Sequence, residues 1–199
     1  MTVPGRVAAA ELLLSLDPPA WSLRHARAVA EVAGWLAARL EAAGTSIDRR
    51  LVESAALLHD VDKILPGDDA AKRLAHGDGS ADWLTRRGHP ELARAVANHP
   101  VTRLIVGERY RRWAAFATRE ERIVAYADKR ASQRLEPMRA RFARWARRHP
   151  ERHGWDPAVL ARAQRLEADV CRAAGVRPAD VRRLGWTGPA LAAARREHP

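Results

Sequence analysis

The 199-residue chain has one cysteine, two phenylalanines, two tyrosines and only three lysines. With Cys171 alone, no internal disulfide can form, and such cysteine usage fits a reducing, cytoplasmic setting. Cys171 has no catalytic context around it and reads as a small helix residue. No apolar run approaches the roughly 18 residues needed to cross a bilayer, so no membrane partner is expected. The opening MTVPGRVAAAELLLSLDPPA has a short apolar patch interrupted by Glu11 and lacks the pattern of a signal peptide. No segment alternates apolar and polar residues as a half-buried strand would. Hydrophobic residues are 47% of the chain, which excludes a disordered class. The length suits one domain with a buried core and an appendage.

Acidic residues are scarce at the back of the chain. Residues 139–199 hold 14 arginines, no lysine and 6 acids, a balance of +8 out of the total +11. Residues 1–138 are close to neutral, at +3. The reading is a catalytic core over 1–138 followed by an arginine-rich helical extension over 139–199. Such an extension could bind nucleic acid. A solvated helical face is the simpler alternative.

Helical spacing runs nearly throughout and predicts an all-α bundle. Helices are expected over about 4–16, ending before Pro18-Pro19, and over about 21–43, closed by Gly44. A third starts after the N-cap Asp48 and runs through LVESAALLHDVDK. The stretch PGDDAAKRLAHGDGS reads as loop. Helices follow over about 80–87, capped by Ser80, and over about 90–98. Thr118 and Glu121 form a capping box that opens another, TREERIVAYADKRASQRLEP. Its stripe is Val124, Asp128, Ala131 and Leu135. Beyond 139, two or three helices are expected, broken at Pro150, Pro157, Pro178 and Pro189.

His25, His59 and Asp128 each fall on a stripe that is otherwise apolar. A buried imidazole or carboxylate is costly unless it is paired or bound to a metal. Three helices each aiming such a group inward match what a metal site in a helical bundle requires. Asp60, next to His59, adds a second group on the same turn. His76 lies in the loop AHGDGSA, and His99 ends a helix with the stripe Leu92, Val96, His99. His89, His149, His153 and His198 have no comparable setting and read as surface residues. Trp113, Trp145 and Trp155 lie among arginines, where base stacking is conceivable and helix packing is the simpler reading.

The segments LRHARAVAEVAGWLA, AALLHDVDKI and IVAYADKR resemble the signature segments of HD-superfamily phosphohydrolases, in particular bacterial and archaeal members with an HDxxK motif. The resemblance spans about residues 20–135. It implies an HD-domain helical bundle in which His25, His59, Asp60 and Asp128 hold a divalent metal. HD proteins with two metals add two histidines between the doublet and the last Asp, and His76 and His99 occupy that interval. The HGDGSA segment also resembles one in the symmetrical diadenosine tetraphosphatase group. Asp62 departs from the frequent HDIGK variant, and Lys63 stands where the HDxxED form has its first acid.

The resemblance implies metal-assisted hydrolysis of a phosphorylated substrate, a nucleotide or dinucleotide, with Asp60 and Lys63 at the reaction centre. The cofactor expected is a divalent transition metal (Fe, Mn, Co, Ni or Zn), as one or two ions, because imidazole with carboxylate suits these metals. Lys63, Arg24, Lys129 and Arg130 are candidates to meet phosphate, since each flanks a candidate ligand. Two rival classes remain: an HD-fold di-iron oxygenase with the same ligand types, and a non-enzymatic nucleic-acid-binding protein using the arginine-rich region.

Overall fold

A computed structural model describes residues 3–148 and 157–197; His149, Pro150, His153, Trp155 and His198, singled out above, lie outside them. Among the described residues the chain forms eleven α-helices joined by short 3-10 turns, with one isolated β-bridge and no strand. The all-α expectation holds.

Helix α1 (Arg6–Leu14) ends at Ser15, and Asp17, at φ 44°, turns the chain into Pro18-Pro19. Helix α2 (Ala20–Ala42) begins directly after those prolines. It is stopped by Gly44 at φ 72°, where the amide of Thr45 reaches back to the carbonyl of Leu40 at 2.9 Å. That bond across a left-handed glycine is how a helix end satisfies an orphan carbonyl. From Ala28 to Gly34 every residue of α2 is buried, so α2 is the central post of the bundle rather than a surface helix.

Helix α3 (Arg49–Leu58) is capped by the Asp48 carboxylate, which accepts from the Leu51 amide at 2.9 Å. It packs along α2. The expected continuation through Lys63 does not occur. The helix ends at Leu58, Asp60 adopts φ −109° and ψ 17°, and Val61–Lys63 form a 3-10 turn. This sparsely used backbone region bends the chain at the His-Asp doublet.

Helix α4 spans Asp78–Arg86 and starts two residues before the expected cap Ser80. Ser80 is instead fully buried, and its hydroxyl accepts from the Asp62 amide at 3.0 Å. The expected helix over 90–98 is a 3-10 turn (Pro90–Leu92) followed by α5 (Ala93–Ala97). Helices α6 (Thr102–Ile105) and α7 (Gly107–Phe116) occupy a stretch where sequence periodicity indicated none; α7 has no buried residue, so it offered no apolar stripe.

Thr118 caps α8 (Arg119–Arg130) by accepting from the Glu121 amide, as the capping box predicts. The helix stops at Arg130 rather than running to Pro137. Ala131 and Leu135 pair as a β-bridge around a tight turn. Helices α9 (Met138–Arg148), α10 (Pro157–Ala173) and α11 (Thr187–Glu197) follow.

The last helices pack into the core. α10 lies against α8, and α11 lies against α1 and α2. Trp186, 5% exposed, donates its indole N–H to the Ala30 carbonyl at 3.2 Å. It sits so close to α2 that a Cβ on Gly34 would stand 2.8 Å from the indole nitrogen. Glu31, buried on α2, is held by Arg183 at 2.7 Å and by the Thr187 hydroxyl.

Candidate metal centre

Five helices and their ends deliver six polar side chains to one place. The second turn of α2 carries His25, the end of α3 carries His59 and Asp60, and the last turn of α8 carries Asp128. His76 precedes α4, and His99 follows α5. His59 and His99 are essentially inaccessible, Asp60 and Asp128 nearly so, and His76 is the most open.

The Nε2 of His25 lies 3.1 Å from that of His59, 3.2 Å from Asp60 Oδ2 and 3.4 Å from Asp128 Oδ1. On the other side of the same carboxylate, Asp60 Oδ1 lies 3.2 Å from His99 Nε2 and 3.4 Å from His76 Nε2. Those two imidazole nitrogens are 3.3 Å apart. The bend after α3 therefore turns Asp60 so that each of its oxygens faces a separate group of imidazoles.

The opposite ring nitrogens are all engaged. His59 Nδ1 meets the Ala56 carbonyl at 2.8 Å, His99 Nδ1 the Val96 carbonyl at 2.6 Å, and His25 Nδ1 the Ser132 carbonyl at 2.5 Å. His76 Nδ1 meets the Asp62 carboxylate at 3.0 Å. In a neutral ring with its proton on Nδ1, that proton is donated to the carbonyl or carboxylate oxygen it faces, and Nε2 is left as the acceptor. With all four rings neutral in that tautomer, each Nε2 offers a lone pair towards other lone pairs and carboxylate oxygens. Such a set of acceptors needs positive charge between them. Ligand atoms around an ion bound at about 2.1 Å stand about 3.0–3.4 Å from one another, close to the spacings here. Three groups of side chains here bring ligand atoms within 4.8 Å of one another and could hold a metal ion: His25, His59 and Asp128; His59, Asp60 and His99; and Asp60, Asp62 and His76.

Without an ion, the protein's own charges make up part of the need. Burial works against a proton on His25, yet Asp128 and Asp60 outweigh it and raise its pKa to about 9. His59 is pushed down to about 3, first by burial and then by its histidine neighbours. Burial likewise lowers His99. Burial alone would raise Asp60 and Asp128, but the surrounding cations and imidazoles hold both well below the usual carboxylate range.

Lys63 places its ammonium 2.7 Å from Asp60 Oδ2 and keeps 41% of its side chain exposed. It lines a cleft of about 450 Å³ over the cluster, together with Trp21, Gln133, Arg141, Trp145 and Arg148. A larger groove of about 600 Å³ between α1 and α11 holds none of the six converging groups. Arg24 is exposed at the rim and donates to Gln133 at 2.7 Å.

Lys129 and Arg130, expected to meet phosphate, are both buried and do not line this cleft. Lys129 is 1% exposed and its ammonium donates to the carbonyls of His99 and Ala125. It ties the His99 backbone to α8. Arg130 points away from the cleft, to Glu167 at 3.0 Å and the Tyr126 hydroxyl at 2.5 Å. His89 is half-buried beside Glu91, not at the cluster. Trp113 packs on the bundle and donates to Glu121 at 3.0 Å. Cys171 is buried against the Tyr126 hydroxyl.

Three supporting residues escaped the sequence reading. Asp62, noted there only as a departure, orients His76 and accepts the Gly77 amide at 2.7 Å. Arg103 spans from the Ala97 carbonyl to Asp78, binding the His76 loop to the His99 loop. Arg141 reaches Asp128 from α9. Nothing in the sequence distinguishes Arg103 or Arg141 from the other arginines.

The sequence model of the HD domain family matches residues 22–133. No curated protein and no solved structure matches the chain. The matched span is more than half of the sequence and contains all six converging residues, so the chain belongs to the HD domain family.

Proposed function

We propose that this protein is a metal-dependent phosphohydrolase acting on a nucleotide or dinucleotide, with two divalent transition-metal ions sharing Asp60. The observation that carries the reading is the set of four imidazoles whose Nδ1 protons are all engaged, leaving four Nε2 lone pairs around one two-sided carboxylate. Ions of this class acidify a water molecule and polarise a phosphoryl oxygen. The protein's part is to hold the ligands, exclude bulk water from His59 and His99, and bring substrate phosphate to the open side. Lys63 is placed to keep Asp60 ionised and to donate to a phosphoryl oxygen from the same ammonium. Arg24 contributes positive charge at the rim. Trp21, 45% exposed at the cleft, offers a flat apolar surface on which a base can stack.

The test is elemental analysis of the purified protein, then phosphate release from a nucleotide panel in air and under anaerobic conditions. Bound transition metal and oxygen-independent release are expected. Asp60→Ala should lose both metal and activity. Metal-free protein with no metal-stimulated release would refute the reading. Turnover that requires oxygen would instead favour the di-iron oxygenase class, which uses the same donor types.

A further inference from the structure

The arginine-rich region contains one side chain unlike its neighbours. Several of the others are paired within the fold: Arg144 with Glu136, Arg177 with Asp180, Arg183 with Glu31, and Arg162 with the Leu104 and Ile105 carbonyls. Arg141, on α9, is 4% exposed, yet its Nε and Nη1 are buried without a hydrogen-bond partner among the described residues. Its one ionic contact in the cluster is Nη2 to Asp128 Oδ1, a long 3.4 Å. The guanidinium lies over the Trp145 ring, 4.5 Å from its centre, which fixes its plane. Arg141 and Trp145 both line the cleft above the metal cluster.

A buried guanidinium with idle donors is costly, and the cost is recovered only when an acceptor arrives. An oxyanion next to Asp128 would complete it, because arginine donors suit phosphoryl oxygens. We propose that Arg141 is a phosphate-holding residue of the substrate site, delivered from outside the matched family segment, and that its Nε and Nη1 donate to phosphoryl oxygens. The inference rests on the phosphohydrolase reading and names the group that receives the substrate's anion.

The experiment uses the full chain loaded with Mn²⁺, with inorganic phosphate titrated calorimetrically into wild type, Arg141→Met and Arg141→Lys. Metal content is measured in parallel. Arg141→Met should keep its metal and lose about 10- to 100-fold in phosphate affinity, the range for charge-assisted hydrogen bonds. Arg141→Lys keeps the charge without the planar donors and should lose at least about threefold. If the Met variant does not fold, as judged by circular dichroism, the Lys variant decides. Wild-type affinity in either folded variant overturns the proposal, as does a wild type that binds no phosphate. Loss of metal along with affinity also overturns it, by making Arg141 a positioning residue for Asp128. Phosphate held through Arg141, with none released from any nucleotide, would leave this subsite standing and remove the functional reading. Nucleotide turnover with unchanged KM and phosphate affinity in Arg141→Met would do the reverse.

Discussion

Asp62 holds one of the six converging side chains. Its carboxylate grips His76 from behind, through Nδ1, while the Gly77 amide and the Ser80 hydroxyl hold Asp62 itself. A partner of this kind fixes ring orientation and raises ligand basicity, and its loss commonly weakens metal affinity about 10- to 100-fold. Asp62→Gly, which restores the frequent HDIGK pattern, should leave the ion on the His25 side and weaken the one on the His76 side. Metal titration followed by elemental analysis would show one tight and one weak equivalent. Two unchanged tight equivalents would contradict the role given to Asp62. The six cluster residues were legible from sequence because polar groups stood out against apolar stripes or in a motif. Their partners were not, because three of the four Nδ1 contacts run to main-chain carbonyls, which any residue supplies.

Among the elements, the turn between α8 and α9 bears most directly on the site. It positions the Ser132 carbonyl that orients His25, and Glu136 anchors it by accepting from the Ser132 hydroxyl and from Arg144. Arg144 is the first cause of a Glu136 pKa lowered to about 2. A carboxyl with a depressed folded-state pKa stabilises the fold above its ordinary value and loses that contribution as pH falls through the folded one. Glu136→Gln should therefore lower the unfolding temperature at neutral pH, with the difference shrinking to nothing near pH 2. A thermal series from pH 2 to pH 7 measures this, and a pH-independent difference would refute it. This turn was read from sequence as the continuation of α8, since ADKRASQRLEP keeps helical spacing. The close of α3 was misread for the same reason: periodicity shows which face is buried, not where the backbone must bend to aim a carboxylate.

Across the whole molecule, the described residues of α10, α11 and the segment between them are bound into the bundle. Trp186 covers Gly34 on the central helix, and Arg183 and Thr187 hold the buried Glu31. Gly34→Ala should destabilise the protein by about 1–3 kcal/mol through overpacking against Trp186, measurable by denaturant unfolding. A neutral effect would mean that the indole moves aside without cost. The contacts of this arginine-rich extension were not legible in its composition, because small residues and scattered tryptophans bury well without forming a long apolar stripe.

The carbonyl contacts of His25, His59 and His99 have a consequence for motion. Each imidazole is tethered to the backbone at the end of a different element: the turn after α8, the close of α3 and the close of α5. An ion that fixed these rings would also fasten three element ends that otherwise fray independently. Metal supply would then control local opening as well. Chelation should speed amide hydrogen exchange at the ends of α3 and α5 and in the 131–136 turn, while the middle of α2 stays protected.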